Sequence, residues 1–114
     1  MKIEIVSIPV SDQDKSLNFY EKLGFTKVRD SVFGEGMRWL ELSLGGETNI
    51  TLVNWFPEMQ AGSIHGIVIK VDDIEATHKK LTKKGLAIDP VFNTPWGRFA
   101  NFKDPDGNGL SLRE

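Results

Sequence analysis

Phe102-Lys103-Asp104-Pro105-Asp106-Gly107-Asn108-Gly109-Leu110-Ser111-Leu112-Arg113-Glu114 is the stretch that decides how this sequence folds. Within it, Asp104-Pro105-Asp106-Gly107 is a turn with a mechanism. Pro105 presets φ, the Asp side chains can bond nearby backbone N–H groups, and Gly107 tolerates positive φ. Leu110 and Leu112 then alternate with Ser111 and Arg113, which is the period of a half-buried strand. Asp104 and Asp106 suggest calcium at a glance, but in a hairpin they read as turn formers.

Upstream, residues 3–10 read as a strand, with Val6, Ile8 and Val10 on one face and Ile3, Ile5, Ser7 and Pro9 on the other. Asp12 is placed to cap a helix running to about Leu23, and Gly24 stands where a left-handed C′ residue is wanted. Phe25–Arg29 is predicted as a second strand, Ser31–Glu35 as loop, Met37–Leu44 as a third strand and Asn49–Asn54 as a fourth. Leu40, Leu42, Leu44, Ile50 and Leu52 take the core parity. Trp55–Ser63 has no period and reads as a connector. Gly66–Val71 is a strand, and Asp72 opens a capping-box-like Asp-x-x-Glu with Glu75. The second helix runs to about Lys84, and Gly85 closes it. His78 lies on its apolar stripe and reads as a packing residue. Ile88–Phe92, Arg98–Lys103 and Leu110–Arg113 complete the strands.

The element order is βαβββ, connector, βαβββ, which divides the chain into a module at 1–54, a connector at 55–63 and a module at 64–114. Val10, Asp12 and Gly24 recur 61 positions on as Val71, Asp73 and Gly85. Sparse identity at constant spacing with matching element order is the mark of an internal duplication. Neither half can bury its own sheet well, so pairing of halves completes the core.

The 114 residues are 39% hydrophobic and 26% charged, as in an ordinary globular protein. A net charge of −2 offers no electrostatic case for nucleic acid or an anionic membrane. The Lys79, Lys80, Lys83, Lys84 cluster falls on a helix and reads as a solvated face. Absence of cysteine excludes disulfides, cysteine-ligated zinc and a thiol nucleophile. No apolar run approaches the roughly 18 residues that span a bilayer. The first residues lack a signal-peptide pattern, so a cytoplasmic location is expected.

Ile8-Pro9-Val10-Ser11-Asp12, Ser16-Leu17-Asn18-Phe19-Tyr20, Leu23-Gly24-Phe25, Val71-Asp72-Asp73-Ile74, Pro95-Trp96-Gly97-Arg98 and the C-terminal turn together resemble the vicinal oxygen chelate superfamily. That group holds glyoxalase I, extradiol dioxygenases, fosfomycin-modifying enzymes and bleomycin-resistance proteins. The resemblance implies an α+β fold of two βαβββ modules, with curved mixed sheets forming an incomplete barrel-like cleft. It also implies pairing across a homodimer and a small organic ligand in the cleft.

Active members of the superfamily hold a divalent metal through His and Glu on strands one, four, five and eight. By register, the resemblance places those positions on Ile5, Thr51, Gly66 and Ser111. An alkyl group, two hydroxyls and a glycine make no metal site, so no metal and no cofactor is expected. His65 is adjacent to the fifth-strand position, but strand alternation puts it on the opposite face unless a bulge intervenes.

The same parity predicts a pocket wall of Ile5, Ser7, Trp39, Glu41, Ser43, Thr51, Val53, Gly66, Val68 and Ser111, with Arg113 at the rim and Phe99 and Asn101 beside it. Trp55, Phe56 and Trp96 flank the mouth. An aromatic wall suits a flat, partly apolar ligand, and the Trp residues equally suit a dimer interface. Glu41 can pair a cationic ligand or act as a general base, or simply bond Arg38, Arg98 or Arg113. The leading expectation is a metal-independent small-molecule-binding protein. The alternatives are a metal-dependent lyase, isomerase or dioxygenase, a metal-free catalyst using Glu41, and an oligomeric module without a ligand.

Overall fold

Asp12 and Asp73 each begin a helix by the same device in the computed structural model, which describes residues 1–114. Asp12 sits in extended backbone, and its carboxylate accepts the Lys15 N–H at 3.1 Å to open α1 (Gln13–Leu23). Asp73 accepts the Ala76 N–H at 3.1 Å and opens α2 (Ile74–Lys83). The capping box expected from Asp72 is therefore one residue early. Glu75 falls on the second helical position and turns out to Arg98, while the Glu114 carboxylate accepts the Ile74 N–H at 3.0 Å. Gly24, at φ +127, ends α1, and its N–H returns to Tyr20 and Glu21 carbonyls.

The strands are β1 (Ile5–Pro9), β2 (Thr26–Gly34), β3 (Met37–Ser43), β4 (Asn49–Val53), β5 (Ile67–Lys70), β6 (Phe92–Thr94), β7 (Gly97–Lys103) and β8 (Gly109–Arg113). They form two four-stranded mixed sheets, ordered β1-β4-β3-β2 and β5-β8-β7-β6. In each sheet the first and last strands of the half pair in parallel, Ile5 opposite Asn49 and Ile67 opposite Leu110. The repeat seen in the sequence is thus a repeat of topology, and neither sheet closes into a barrel. No helix is long and apolar enough to cross a membrane.

Two segments differ from expectation. Ser31–Glu35 is not all loop: β2 runs on to Gly34 and forms a hairpin with β3. Register shifts at Val28 and Phe33 interrupt its alternation, and the strand lies exposed at a sheet edge, so it carries no burial period. The strand expected at Ile88–Phe92 shrinks to one bridge from Ile88 to Phe102. Pro90 has no N–H for a ladder, and regular pairing resumes only at Phe92.

A single cluster of 16 buried apolar residues draws on both halves. Ile8, Leu40, Leu42 and Leu52 supply one sheet, while Ala100, Phe102, Leu110 and Leu112 supply the other. Leu44, which shares their parity, lies at the strand end and is exposed. The Phe19 ring of α1 reaches Phe102 at 6.4 Å between centroids. Polar groups fix this contact. Asp104, buried on the turn after β7, takes the Tyr20 hydroxyl at 2.9 Å and the Asn108 amide at 2.8 Å on one oxygen. Its other oxygen takes the N–H groups of Asp106 and Asn108. Asn108, fully buried, also donates to the Pro9 carbonyl at 2.8 Å and accepts the Ile64 N–H at 3.1 Å. A side chain on Gly62 would meet the Asp106 carbonyl at 2.1 Å, so the connector lies directly on this turn.

Burial, and then the Asp104 carboxylate beside it, pushes the Tyr20 hydroxyl above the usual phenol range. An unfolded tyrosine ionises near pH ~10. The stabilisation is therefore complete below about pH 10 and lost as pH rises beyond it, because only the unfolded chain releases the proton. Tyr20 is the one tyrosine, so tyrosinate absorbance should appear together with unfolding. Titration of the folded protein near pH ~10 would show the phenol to be free. Asn108→Ala should cost about 2–4 kcal/mol, read as a lower urea midpoint at unchanged slope, because it leaves buried donors and acceptors unpaired.

Candidate functional site

With one side of each sheet committed to the core, the site residues stand on the opposite, outer faces. On the first sheet Trp39, Glu41 and Ser43 alternate along β3, and Glu41 stands opposite Thr51 of β4 and Arg29 of β2. The Glu41 carboxylate is half-buried and bound on both oxygens. Its Oε2 accepts the Asn49 amide at 2.7 Å, and its Oε1 accepts the Trp39 indole N–H at 3.0 Å. The Asn49 bond, and after it the Trp39 bond, hold the carboxyl below the usual carboxylate range.

None of the arginines considered as partners for Glu41 takes that role. Arg38 pairs with Asp14 and Asp30, each at 2.8 Å, Arg98 pairs with Glu75, and Arg113 donates to the Trp96 carbonyl.

Beside Glu41 an aromatic wall builds up. Phe33 of β2 meets Trp39 at 6.4 Å and Trp55 at 5.3 Å, both edge-on, and Trp55 packs on Phe56 at 4.3 Å. The Trp55 indole N–H donates to the Arg38 carbonyl at 3.2 Å, which fixes the connector against β3. Arg29, Ser31, Phe33 and Trp39 enclose a notch of about 290 Å³.

The outer face of the second sheet carries a separate group. Phe92 stacks with Phe99 at 6.1 Å, and the Arg113 guanidinium lies 6.0 Å from the Phe99 ring. Trp96, on the β6–β7 turn, is 73% exposed. The expected pocket residues are therefore divided: Trp39 and Glu41 lie on the first sheet with Trp55 of the connector against it, and Phe99, Ser111 and Arg113 lie on the second with Trp96 on its β6–β7 turn. No aromatic pair links the two groups.

The superfamily metal positions do not fit a metal. Thr51 is buried and its hydroxyl bonds Ser7 at 3.0 Å, and the Ser111 hydroxyl donates to Asn101 at 2.6 Å. Ile5 and Gly66 bring no donor side chain, and nowhere do three or more His, Cys, Asp or Glu residues converge. His65 departs from the alternation expected of it. Gly66 has φ +89, which resets the strand parity, and the His65 imidazole lies over Gly109, where a β-carbon would stand 2.8 Å from its Nδ1. His65 therefore shares a face with Ser111 and lines a recess of about 300 Å³ with Asp89, Asn101 and Lys103, where no group of three ligating side chains gathers. His78 is half-buried, and its Nε2 lies 3.0 Å from the Asp89 carbonyl, as suits a packing residue.

A family model for the glyoxalase/bleomycin resistance protein/dioxygenase superfamily matches residues 2–112, and the chain belongs to that superfamily. TnmS3, an antibiotic binding protein from Streptomyces sp. CB03234, is 43% identical over 99% of this chain and 94% of its own, with a TM-score of 0.93. A member of the superfamily from Sphaerobacter thermophilus DSM 20745 is 35% identical over 100% of this chain and 97% of its own, with a TM-score of 0.91. YetH of Bacillus subtilis (strain 168) is 34% identical over 99% of this chain and 98% of its own.

Reading by parity missed Phe33, Arg29, Asn49 and Phe92. Arg29 follows the first shift in β2, Phe33 is itself the residue at the second, and Phe92 sits past the break at Pro90. Asn49 was legible, since it precedes Thr51 by two and shares its face. Phe33→Ala should red-shift the tryptophan emission by opening both Trp39 and Trp55 to water. Its effect on thermal stability should stay within about 1 kcal/mol, because the ring is itself 54% exposed.

Proposed function

We propose that this chain is a metal-independent binding protein that takes up a flat, largely apolar small molecule on its aromatic outer faces. One observation carries this reading. The positions that the resemblance assigns to a metal carry no imidazole or carboxylate, and the first sheet carries a wall of Trp39, Phe33 and Trp55. Stacking surfaces suit flat ring systems, whereas a zinc-type Lewis acid is usually held by imidazole or carboxylate ligands. The description of TnmS3 as an antibiotic binding protein supports a small organic ligand here.

A base mechanism through Glu41 is disfavoured, since a carboxylate stabilised by two donors is a weaker proton acceptor than a free one. The division of aromatic residues between two sheets supports a homodimer. A second copy that sets its second sheet over the first sheet of its partner brings Trp96 and Phe99 opposite Trp39 and Trp55. Such a cleft encloses a ligand on both sides, which neither face achieves alone.

A ligand of about 25 non-hydrogen atoms gains about −0.3 kcal/mol per atom, which is a Kd of a few micromolar. Polycyclic aromatic compounds should quench tryptophan emission in that range, and Trp39→Ala should weaken binding about tenfold. Dialysed protein should hold well under one Ni, Zn, Mn or Fe(II) per chain by elemental mass spectrometry and show no thermal shift with any of them. Stoichiometric metal with clear stabilisation would instead establish the chelate chemistry, and His65 would be its first suspected ligand. Light scattering should give twice the chain mass.

A further inference from the structure

Resting on the binding-protein reading above, we propose that the ligand carries a protonated amine that docks on Glu41 beside the Trp39 ring. The Glu41 carboxylate offers about four lone-pair sites, of which the Trp39 indole and the Asn49 amide occupy two. Both donors are neutral, so they orient the charge without cancelling it. Glu41 enters none of the ion pairs of the chain. Arg29 is its neighbour on β2 and its charge is felt by the carboxylate, but the two form no ion pair. What remains is a fixed anion beside an aromatic wall, with lone pairs left to take a charged N–H donor.

The repeat makes the charge informative. In the second half the equivalent residue opposite the eighth strand is Asn101, which bonds Ser111. A neutral amide therefore satisfies the fold at this register, and the carboxylate of Glu41 is not required by the sheet. The competing role is that of a bracket that merely orients Trp39. Glu41→Gln separates the two. Its carbonyl can still accept the Trp39 indole, and its amide can donate to Asn49 once that side chain flips, so the geometry persists while the charge is lost.

The test is tryptophan quenching of the intact protein with three anthracenes of one shape: 9-aminomethylanthracene as the cation, 9-hydroxymethylanthracene as the neutral form and 9-anthracenecarboxylate as the anion. The cation should bind about tenfold tighter than the neutral compound. Glu41→Gln should erase that gap while leaving the neutral compound unchanged. A second measurement needs no variant: raising salt from about 0.02 M to about 0.5 M should weaken the cation and spare the neutral compound. Equal binding of cation and neutral form, preference for the anion, or equal weakening of all three by Glu41→Gln would overturn the proposal and leave the binding-protein reading intact. If none of the three binds, both fall together.

Discussion

Asp104 places a carboxylate where almost no water reaches, with 5% of its surface exposed. A buried anion is tolerated only when its oxygens are fully answered by donors. Here the donors are the Tyr20 hydroxyl, the Asn108 amide and two backbone N–H groups of the turn itself. Tyr20 belongs to the first helix and the turn to the second half, so the bond set exists in one relative placement of the halves only. Sliding one half past the other strips the carboxylate of a partner and leaves the Pro9 carbonyl and Ile64 N–H without Asn108. Apolar contacts such as Phe19 on Phe102 contribute most of the burial, but they are non-directional. The polar knot supplies the direction.

That placement decides what is left for function. Because the halves share a core on the helix side, the outer faces of both sheets stay available. The sheets have the same strand order, yet their outer faces differ in chemistry. One carries a pinned carboxylate within an aromatic cluster, and the other carries a hydroxyl–amide pair, stacked phenylalanines and a free tryptophan rim. Duplication supplies the scaffold twice, while single differences at equivalent registers, such as Glu41 against Asn101, give the two faces different chemistry. The superfamily supports many activities on this architecture for the same reason, since backbone pairing does not depend on which side chains point outward.

The order of elements, both aspartate caps within one residue, the glycine ends of the helices and the core parity of Ile8, Leu40, Leu42, Ile50, Leu52, Leu110 and Leu112 were legible in the sequence. These features are local: a cap acts over three residues, and a strand alternates at period two regardless of its neighbours. That Ile5, Thr51, Gly66 and Ser111 bring no imidazole or carboxylate was plain from residue type alone. Tertiary structure alone decided the length of β2, the break before β6, the cluster that joins Phe33 to Trp39 and Trp55, the bonds from Asn49 and Trp39 to Glu41, and the face on which His65 lies. Each of these depends on a register shift, a left-handed glycine or a cross-strand meeting, and such events carry a side chain away from where a regular period would put it.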